Sequence, residues 1–496
     1  MTKFNVPRGT RDFLPEEMVK RKYVERIIQE VFESFGFQRI QTPTFEEFKL
    51  FAARSGPEIK EGMFTFFCDN EEFALRPELT AAVCRLITTG KMNIPKPYEI
   101  YYLGQCFRYE RPQSGRYREF TQAGVELMGT RSPIADAKVI AVAASVLERV
   151  GVFDYNLKVG NIGIFRDLLT KEGFDFDKQC SIIGQINRAL DTIEKLEAIE
   201  KKKEITVEDK ELLITKMSEV YKIQNEIKYL GEYEIMPVPI QKLDDKKMKE
   251  LLKSVPKALQ ETTKIILSKK YELKKDFIDL VFKILEIKGQ RKDVENKAKQ
   301  LLKGTAAEKA LEELLSVVKW LENYGFKRYN LVLGVARGLD FYTGTVFEFD
   351  LPILDAQKQV CGGGRYDKLV EEFGGPETPA TGFAFGFDRL VEALDRMDKS
   401  YTENKSDFFV ACVDEESRFG AADICSKLRK KGLRCEEDLN FLNLREQMDY
   451  AKKLGIKYAI VVGKKELEKN IVTITNLKNK NRKEFKIEEI NKDFSF

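Results

Sequence analysis

The residues from 107 to 129, FRYERPQSGRYREFTQAGVELMG, constrain the fold of this chain more than any other segment. They predict two antiparallel strands joined by a polar loop that contains a glycine. Because side chains alternate across a strand, one face of the second strand would carry Phe120, Gln122, Gly124 and Glu126. The opposite face would carry Thr121, Ala123, Val125 and Leu127. One face is therefore typical of a buried core, and the other of a ligand pocket with room beside a bare glycine.

Arginine residues are concentrated in this hairpin, at Arg108, Arg111, Arg116 and Arg118. Guanidinium groups form forked hydrogen bonds with phosphate, so the hairpin favours a phosphate-containing ligand. A solvated hairpin with surface ion pairs is the alternative interpretation. The chain has no GxxxxGK(S/T) sequence, which excludes a P-loop nucleotide site.

Three glycine-containing segments predict a second part of the same pocket. The first, GVARGLDFYTGTVFEF at 334–349, places Arg337 ahead of a strand. The others are CGGGRYDKL at 361–369 and TGFAFGFDRLVEAL at 381–394, which leads into a helix that contains Arg389. Glycines allow a backbone to approach a ligand closely, although each segment taken alone is also compatible with a structural turn.

Changes in composition divide the chain into four predicted parts. Their limits are 1–165, 166–325, 326–400 and 406–496. The first alternates helices and strands, and its first helix has an apolar stripe at Val24, Ile27, Ile28, Val31 and Phe32. The second is rich in Lys and Glu and predicts a helical insertion with solvated charged faces, whose last helix has a stripe at Leu311, Leu314, Leu315, Val318 and Leu321. Strand-like sequence resumes in the third part.

A polar linker then precedes the fourth part. There the sequence predicts strands at DFFVACV, YAIVVG and IVTITNL and helices at ESRFGAADICSKLRKKG and LREQMDYAKKLG, which together indicate a small α/β domain.

The chain contains no histidine among its 496 residues, and this absence excludes whole classes of chemistry. Ser-His-Asp hydrolases, Cys-His proteases and histidine-ligated zinc, haem or iron all require an imidazole. The eight cysteines form no CxxC pair, so reduced thiols are favoured over a zinc site. The net charge of +4 is too small to indicate nucleic acid by itself. Without a signal peptide or a long apolar run, we expect a cytoplasmic protein with no membrane partner.

Taken together, these segments resemble the class II aminoacyl-tRNA synthetases, and within them the histidyl-tRNA synthetases. The resemblance covers RGTRDFLPEE near the start, motif 1 around 36–45, LRPELT at 75–80 and motif 2 in the arginine-rich hairpin. It continues through two histidine-specific signatures, RGLDFYTGTVFE and GGGRYD, to motif 3 in GFAFGFDRL. It implies an α+β fold with an antiparallel-sheet catalytic core, the helical insertion and a C-terminal α/β anticodon-binding domain.

The resemblance also implies a role for each matching residue. Arg108 would clamp the α-phosphate of ATP, and Arg337 would bind the amino-acid carboxylate and the α-phosphate, so these two would be catalytic. The other ATP-binding residues would be Glu110, Arg116, Phe120 and Arg389. Histidine would be bound by Glu78, Thr80, Gln122, Glu126, Arg337 and Tyr342, of which Glu126 and Tyr342 would read the imidazole. No spacing singles out ligands for Mg²⁺.

The implied reaction joins histidine to tRNA at the expense of ATP, with Mg²⁺ as cofactor and a homodimer as the enzyme. Attack of a carboxylate on a phosphate depends on positioning and charge stabilisation more than on a general base, so it does not require a histidine side chain. One departure from the family pattern is Thr121, which stands where motif 2 often carries a histidine. It falls on the strand face opposite Gln122, so the loss puts little in doubt.

Two other interpretations compete with this one. A catalytically silent paralogue regulates ATP phosphoribosyltransferase in histidine biosynthesis, but such paralogues lack the anticodon-binding domain and tend to lose the arginine matched by Arg337. A class II synthetase for Pro, Thr or Gly would share the C-terminal domain. The segment RGLDFYTG and the pair Glu126 and Tyr342 argue against it.

Overall fold

The structure is a computed structural model that describes most of the chain. The described residues are 4–53, 62–109, 116–200, 202, 205–226, 245–334, 341–398 and 406–490. The chain divides into two compact units. The larger consists of Met1–Phe13 and Lys20–Lys399, and the smaller of Leu14–Val19 and Ser400–Phe496.

A nine-stranded sheet forms the centre of the larger unit, in the order β1-β5-β6-β12-β11-β10-β7-β9-β8. Its strands are β1 (Gln38–Arg39), β5 (Tyr98–Phe107), β6 (Glu119–Met128), β7 (Asn156–Asn161), β8 (Lys288–Gly289), β9 (Asn330–Val332), β10 (Thr345–Asp350), β11 (Gln359–Arg365) and β12 (Ala380–Gly386). The six strands from β5 to β7 in this order pair antiparallel throughout, whereas β1 joins one end as a parallel strand. The antiparallel core that the family resemblance implies is therefore confirmed. A separate three-stranded sheet has the order β2-β4-β3, from β2 (Phe45–Glu47), β3 (Thr65–Cys68) and β4 (Glu71–Leu75).

One face of the nine-stranded sheet, which we call the back face, is packed with aromatic rings. The ring of Phe383 on β12 lies 5.9 Å from Phe32, 6.4 Å from Phe347 and 5.2 Å from Phe385. Phe32 belongs to helix α1 (Pro15–Ser34), whose apolar stripe is buried as its helical spacing predicts. The back face therefore supplies the apolar core that holds the sheet together.

Helices account for most of the chain between strands β7 and β9 of this sheet. The helices that precede β7 in the sequence are α1, α2 (Phe48–Ala52), α3 (Thr80–Thr88) and α4 (Pro133–Arg149). The intervening helices are α5 (Gly163–Lys171), α6 (Phe176–Glu200), α7 (Val207–Glu226), α8 (Asp245–Tyr271), α9 (Lys275–Leu285), α10 (Arg291–Leu302) and α11 (Glu308–Asn323). Two further helices follow later strands: α12 (Leu369–Glu372) comes after β11, and α13 (Phe387–Arg396) comes after β12.

The described residues of the Lys/Glu-rich part are mostly helical, as predicted. Helices α6, α7 and α8 share a small apolar core of their own, built around Leu196, Leu213 and Leu252. On α11 the predicted leucine and valine stripe is buried. The limits of 166–325 for a separate insertion stay a prediction, and the short strand β8 from this part pairs with β9 at the edge of the large sheet.

The smaller unit contains a five-stranded mixed sheet in the order β14-β13-β15-β16-β17. Its elements are β13 (Phe408–Cys412), α14 (Arg418–Lys430), β14 (Cys435–Glu437), α15 (Leu444–Lys453), β15 (Tyr458–Val462), α16 (Lys464–Lys469), β16 (Ile471–Asn476) and β17 (Arg482–Lys486). The three apolar strands and the two longer helices were predicted from the sequence. Strands β14 and β17 were not, because they are short or largely exposed. Among the described residues, no helix is both long enough and apolar enough to cross a membrane.

Candidate active site

The pairing of β5 with β6 determines which side chains the arginine-rich hairpin presents together. Phe120 lies opposite Cys106, Gln122 opposite Gly104, and Glu126 opposite Ile100. Since directly opposite residues in an antiparallel pair point to the same face, these side chains share one face of the sheet, which we call the site face. The alternation that the sequence predicts for β6 is confirmed.

Glycines form the floor of the site face on three neighbouring strands. On β6, β12 and β11 the residues Gly124, Gly382 and Gly364 occupy this face, as the cross-strand register requires. A Cβ atom on Gly382 would overlap the carboxylate of Glu126, and one on Gly124 would lie 2.6 Å from the hydroxyl of Tyr102. These positions therefore need glycine because polar side chains from adjacent strands fill the space above them.

Glu126 is the most deeply placed acid of the site, with 1% of its surface exposed. Its Oε1 atom accepts hydrogen bonds from the hydroxyl of Thr80 at 2.8 Å and of Tyr102 at 3.1 Å. Its Oε2 atom accepts from the hydroxyl of Tyr366. Burial raises the pKa of Glu126 to about 8, although the three hydroxyl donors oppose that rise. The carboxyl group is thus poised to exchange a proton near neutral pH with a ligand placed against it.

Glu78 occupies the N-terminal end of helix α3. Its carboxylate accepts from the backbone N–H of Thr80 at 2.6 Å and of Ala81 at 2.9 Å, so it caps the helix from the preceding residues. Burial raises its pKa, while these N–H groups and the charge of Arg108 act in the opposite direction. Because the hydroxyl of Thr80 also reaches Glu126, the helix start joins the two carboxylates into one polar group.

Tyr342 lies beside these carboxylates. Its ring centroid is 5.2 Å from that of Phe341, within an apolar cluster that also contains Leu79 and Tyr366. Burial raises the pKa of Tyr342, and the negative charge of Glu126 raises it further, so the phenol stays protonated. The two residues to which the resemblance gives the reading of the imidazole are thus brought together.

Arg108 and Phe120 lie at the open end of the same face. The Nε atom of Arg108 donates to the backbone oxygen of Pro77 at 2.9 Å, and its guanidinium carbon lies 5.2 Å from the centroid of Phe120. Next to them, the amide oxygen of Gln122 accepts from the thiol of Cys106 at 3.4 Å. A cation, an aromatic ring and an amide in this order can bind a nucleotide beside an amino acid.

Arg389 approaches this end from helix α13. The register of β12 with β6 places Gly386 opposite Gln122, and the Cδ atom of Arg389 would lie 3.6 Å from a Cβ at Gly386. Its Nη1 atom donates to the backbone oxygen of Gln359 at 2.8 Å. Arg116 is exposed at the base of the hairpin loop. Glu110 and Arg337 lie outside the described residues.

The sequence interpretation missed three residues of this site. Tyr102 and Tyr366 supply two of the three hydroxyl groups on Glu126, and Cys106 donates to Gln122. Tyr366 lies two residues after the glycine run of a recognised segment, which marked the segment but not its contact with Glu126. Tyr102 could be found only with the register that places it opposite Gly124.

Comparison with known proteins agrees with this geometry. A profile described as histidyl-tRNA synthetase matches residues 9–232 and 229–390, and one described as anticodon binding domain matches 407–494. The histidine–tRNA ligase of Methanocaldococcus jannaschii is 36% identical over 489 residues, covering 98% of each chain. That of Pyrococcus abyssi is 36% identical over 487 residues, covering 97% of this chain and 96% of the relative.

Solved structures support the fold. A crystal structure of histidyl-tRNA synthetase from Nostoc superposes with a TM-score of 0.67 at 21% identity, covering 99% of each chain. At that identity the likeness concerns the fold alone. The profile and the full-length relatives go further, and on their strength the chain belongs to the histidyl-tRNA synthetase family.

Proposed function

We propose that this chain is a histidine–tRNA ligase, which activates histidine with ATP and then transfers it to the 3′ end of its tRNA. The observation that carries the proposal is the buried carboxylate of Glu126, surrounded by hydroxyl groups above a floor of glycines. An imidazole can share a proton with such a carboxyl group. The side chain of Leu or Phe would instead bury it against carbon, which supports discrimination of about 10⁴.

In the first step a carboxylate oxygen of histidine attacks the α-phosphorus of ATP, and the bond to pyrophosphate breaks. Arg108 and Arg337 stabilise the charge where the two substrates meet, and no proton has to be moved by the enzyme. In the second step a hydroxyl of the terminal ribose of tRNA attacks the carbonyl carbon, and AMP leaves. The anticodon-binding domain at 407–494 supports tRNA as the acceptor.

The remaining residues position the two substrates. Glu126 and Tyr342 hold the imidazole, while Glu78, Thr80 and Gln122 accept hydrogen bonds from the α-ammonium group. Each oxygen of Glu78 that caps helix α3 has a further lone pair, so capping and ammonium binding are compatible.

The ATP ligands lie toward the open end of the site. Phe120 stacks on the adenine, and Glu110 accepts from its amino group. Arg116 and Arg389 hold the outer phosphates, for which their partial or full exposure is suitable because pyrophosphate must leave. These assignments follow the family pattern and the side-by-side arrangement of Arg108 and Phe120.

Magnesium is the proposed cofactor, and the donor set of this site fits a metal that arrives with ATP. Among the described residues, no three His, Cys, Asp or Glu side chains converge to hold a metal ion. Mg²⁺ in nucleotide sites takes one or two carboxylates and uses phosphate oxygens and water for the rest. Glu348 on β10 shares the site face and would be the protein ligand. When bound, the metal would neutralise phosphate charge.

A homodimer is also part of the proposal, supported by an exposed aromatic surface near motif 1. Phe45, Phe66 and Phe67 on the three-stranded sheet are 51%, 39% and 73% exposed. The rings of Phe45 and Phe66 lie 5.7 Å apart and form one continuous patch, whereas Phe67, the next residue of β3, points to the other face of this sheet. A second copy of the chain would cover this patch, since monomers rarely expose large apolar patches. We place the reaction in the cytoplasm, in keeping with eight free thiols.

Amino-acid-dependent exchange of pyrophosphate into ATP, run across all twenty amino acids, tests the activation step. We expect exchange with histidine alone, and charging of tRNA when it is added. Exchange with another amino acid only would contradict the assignment, and exchange with none would favour the regulatory paralogue.

Arg337 can be tested in the same assay. Arg337→Ala should lose exchange by several orders of magnitude while remaining folded, because its charge acts on the reacting atoms. Near-normal exchange by this variant would refute the role.

A further inference from the structure

The turn Pro7–Phe13 at the start of the chain has no role in the function proposed so far. It is held to the base of the arginine-rich hairpin, where the backbone N–H of Arg118 donates to the oxygen of Gly9 at 2.8 Å. Gly9 has a φ of +89°, and a Cβ there would lie 2.7 Å from Cγ of Arg118. The turn therefore lies directly against the strand that returns from the loop of motif 2.

Asp388 links this turn to motif 3. Its Oδ1 atom accepts from Arg11 at 2.7 Å and from Arg21 at 2.6 Å, and its Oδ2 atom accepts from the backbone N–H of Thr121 at 2.7 Å. The carboxylate is only 6% exposed. One buried carboxylate thus joins helix α13, strand β6 and the opening turn, and the residue after it is Arg389.

Two guanidinium groups in this network also stack on aromatic rings. Arg11 lies 3.8 Å from the ring centroid of Tyr117, at the base of the hairpin loop. Arg21 lies 3.9 Å from that of Phe13 and 4.8 Å from that of Phe387. These flat contacts fix the rings as well as the charges.

The network lies behind the site face. Thr121 points to the back of β6, where its hydroxyl accepts from Arg21 at 3.2 Å, while its neighbours Phe120 and Gln122 point to the site. Fixing the backbone at Thr121 therefore fixes the direction of both neighbours. Fixing Asp388 likewise fixes the direction of Arg389, which is the next residue in the first turn of α13.

We infer that Arg11 is a positioning residue for the ATP end of the site, acting through Asp388 on Arg389 and Thr121 and through Tyr117 on the base of the arginine-rich hairpin. This inference rests on the proposed function, which assigns Phe120 and Arg389 to ATP. Arg11 does not touch a reacting atom. It sets the spacing between motif 2 and motif 3, the two elements that must hold opposite ends of one nucleotide.

Arg11 is the member of the network that can be changed without leaving the carboxylate unpaired. Its side chain is 32% exposed, and Asp388 keeps its contact with the more deeply buried Arg21 when Arg11 is removed. A matched control exists in Arg291 on α10, which is 30% exposed and pairs with Glu322 at 2.7 Å. Arg291 has no described contact with the hairpin or α13.

The test compares R11Q, R11K and R291Q as full-length chains. Pyrophosphate exchange gives KM for ATP and for histidine, and calorimetry gives the affinity for ATP alone. We expect R11Q to raise KM for ATP and weaken ATP binding by roughly tenfold, with KM for histidine within about twofold of wild type. R11K, which keeps the charge but not the flat contact, should lie between, and R291Q should match wild type.

Equal ATP affinity in R11Q and R291Q would overturn the inference, as would a parallel rise in KM for both substrates, which indicates general damage to the fold. Y117F keeps the ring and should keep the wild-type KM for ATP, whereas Y117A should raise it. If wild type binds ATP and R11Q weakens that binding, but no amino acid supports exchange, the proposed function fails while the inference stands.

Discussion

The two faces of the central sheet are built from the same strands but carry opposite kinds of residue. On β12 the back face carries Phe383 and Phe385, which pack against rings from α1 and β10. The site face of the same strand carries Gly382 and Gly386. The back face gains stability by filling space, and the site face gains a pocket by leaving it open.

This difference separates the positions that hold the sheet from those proposed to bind substrate. Side chains on the back face contribute mainly through burial of apolar surface, so their loss should lower the free energy of unfolding. Polar groups on the site face are buried at a cost, which is recovered when a ligand satisfies them. Substitutions on the two faces should therefore affect different measurements.

The largest expected effect comes from Glu126→Gln on the site face. The amide keeps the size of the side chain but has no acidic proton to share with an imidazole nitrogen, so KM for histidine should rise about a hundredfold. KM for ATP should change little, because Phe120 and Arg108 are unaffected. Pyrophosphate exchange measures both constants. A histidine KM near the wild-type value would show that another group reads the imidazole.

Val125→Ala, one residue away on the back face, should give the converse result. Val125 is fully buried, and its truncation should lower the free energy of unfolding by about 2 kcal/mol, roughly a thirtyfold change in the folding equilibrium. Urea unfolding measures this loss. A change of more than about threefold in KM for histidine in this variant would show that the two faces do not act separately.

Tyr366→Phe removes one hydroxyl donor from Glu126. Loss of this donor should raise KM for histidine about tenfold, and because the donor opposes the rise in the pKa of Glu126, its loss should raise that pKa further. Tyr101→Phe is the matched control, since its hydroxyl donates at 2.8 Å to Glu33 instead. Equal effects of the two substitutions would assign the loss to tyrosine packing rather than to the donor.

The smallest expected effect is a pH dependence of histidine affinity. A pKa of about 8 leaves Glu126 protonated at pH 7, so it binds neutral imidazole without net exchange of protons with solvent. Below about pH 6.5 the imidazole must first lose a proton, and above pH 8 Glu126 must first gain one. Affinity should fall about eightfold by pH 5.5 and about threefold by pH 8.5. The Glu126→Gln variant has no carboxyl group to titrate. The part of the fall in histidine affinity above pH 8 that Glu126 causes should therefore be absent in this variant.

Much of the site could be predicted from the sequence because its signals are local. The alternation along β6 identified Phe120, Gln122 and Glu126 as one face, and the structure places them so. Tyr366 reaches Glu126 from the position that follows β11, two strands away from β6, and nothing local to either residue indicates that contact. Cross-strand register is a property of the folded sheet. Contacts that depend on it therefore cannot be predicted when each segment of the sequence is considered alone.

The same limit explains the strands that were missed in the smaller unit. β14 has three residues, Cys435–Glu437, and β17 has the sequence RKEFK, so neither carries an apolar pattern. Their backbones become strands by pairing with β13 and β16. The roles of all the site residues stay predictions from the family pattern, and Glu110 and Arg337 lie outside the described residues. The limits of the helical insertion stay a prediction as well.

The glycine floor has a consequence for how the specificity of this pocket can change over generations. A floor made of backbone offers no side chain to shorten, and at Gly124, Gly364 and Gly382 an added methyl group meets atoms already in place. Variation that admits a different amino acid must therefore occur in the walls, at Thr80, Tyr102, Tyr342 and Tyr366. A randomised library selected for a new substrate should recover changes at those wall positions and leave the floor as it is.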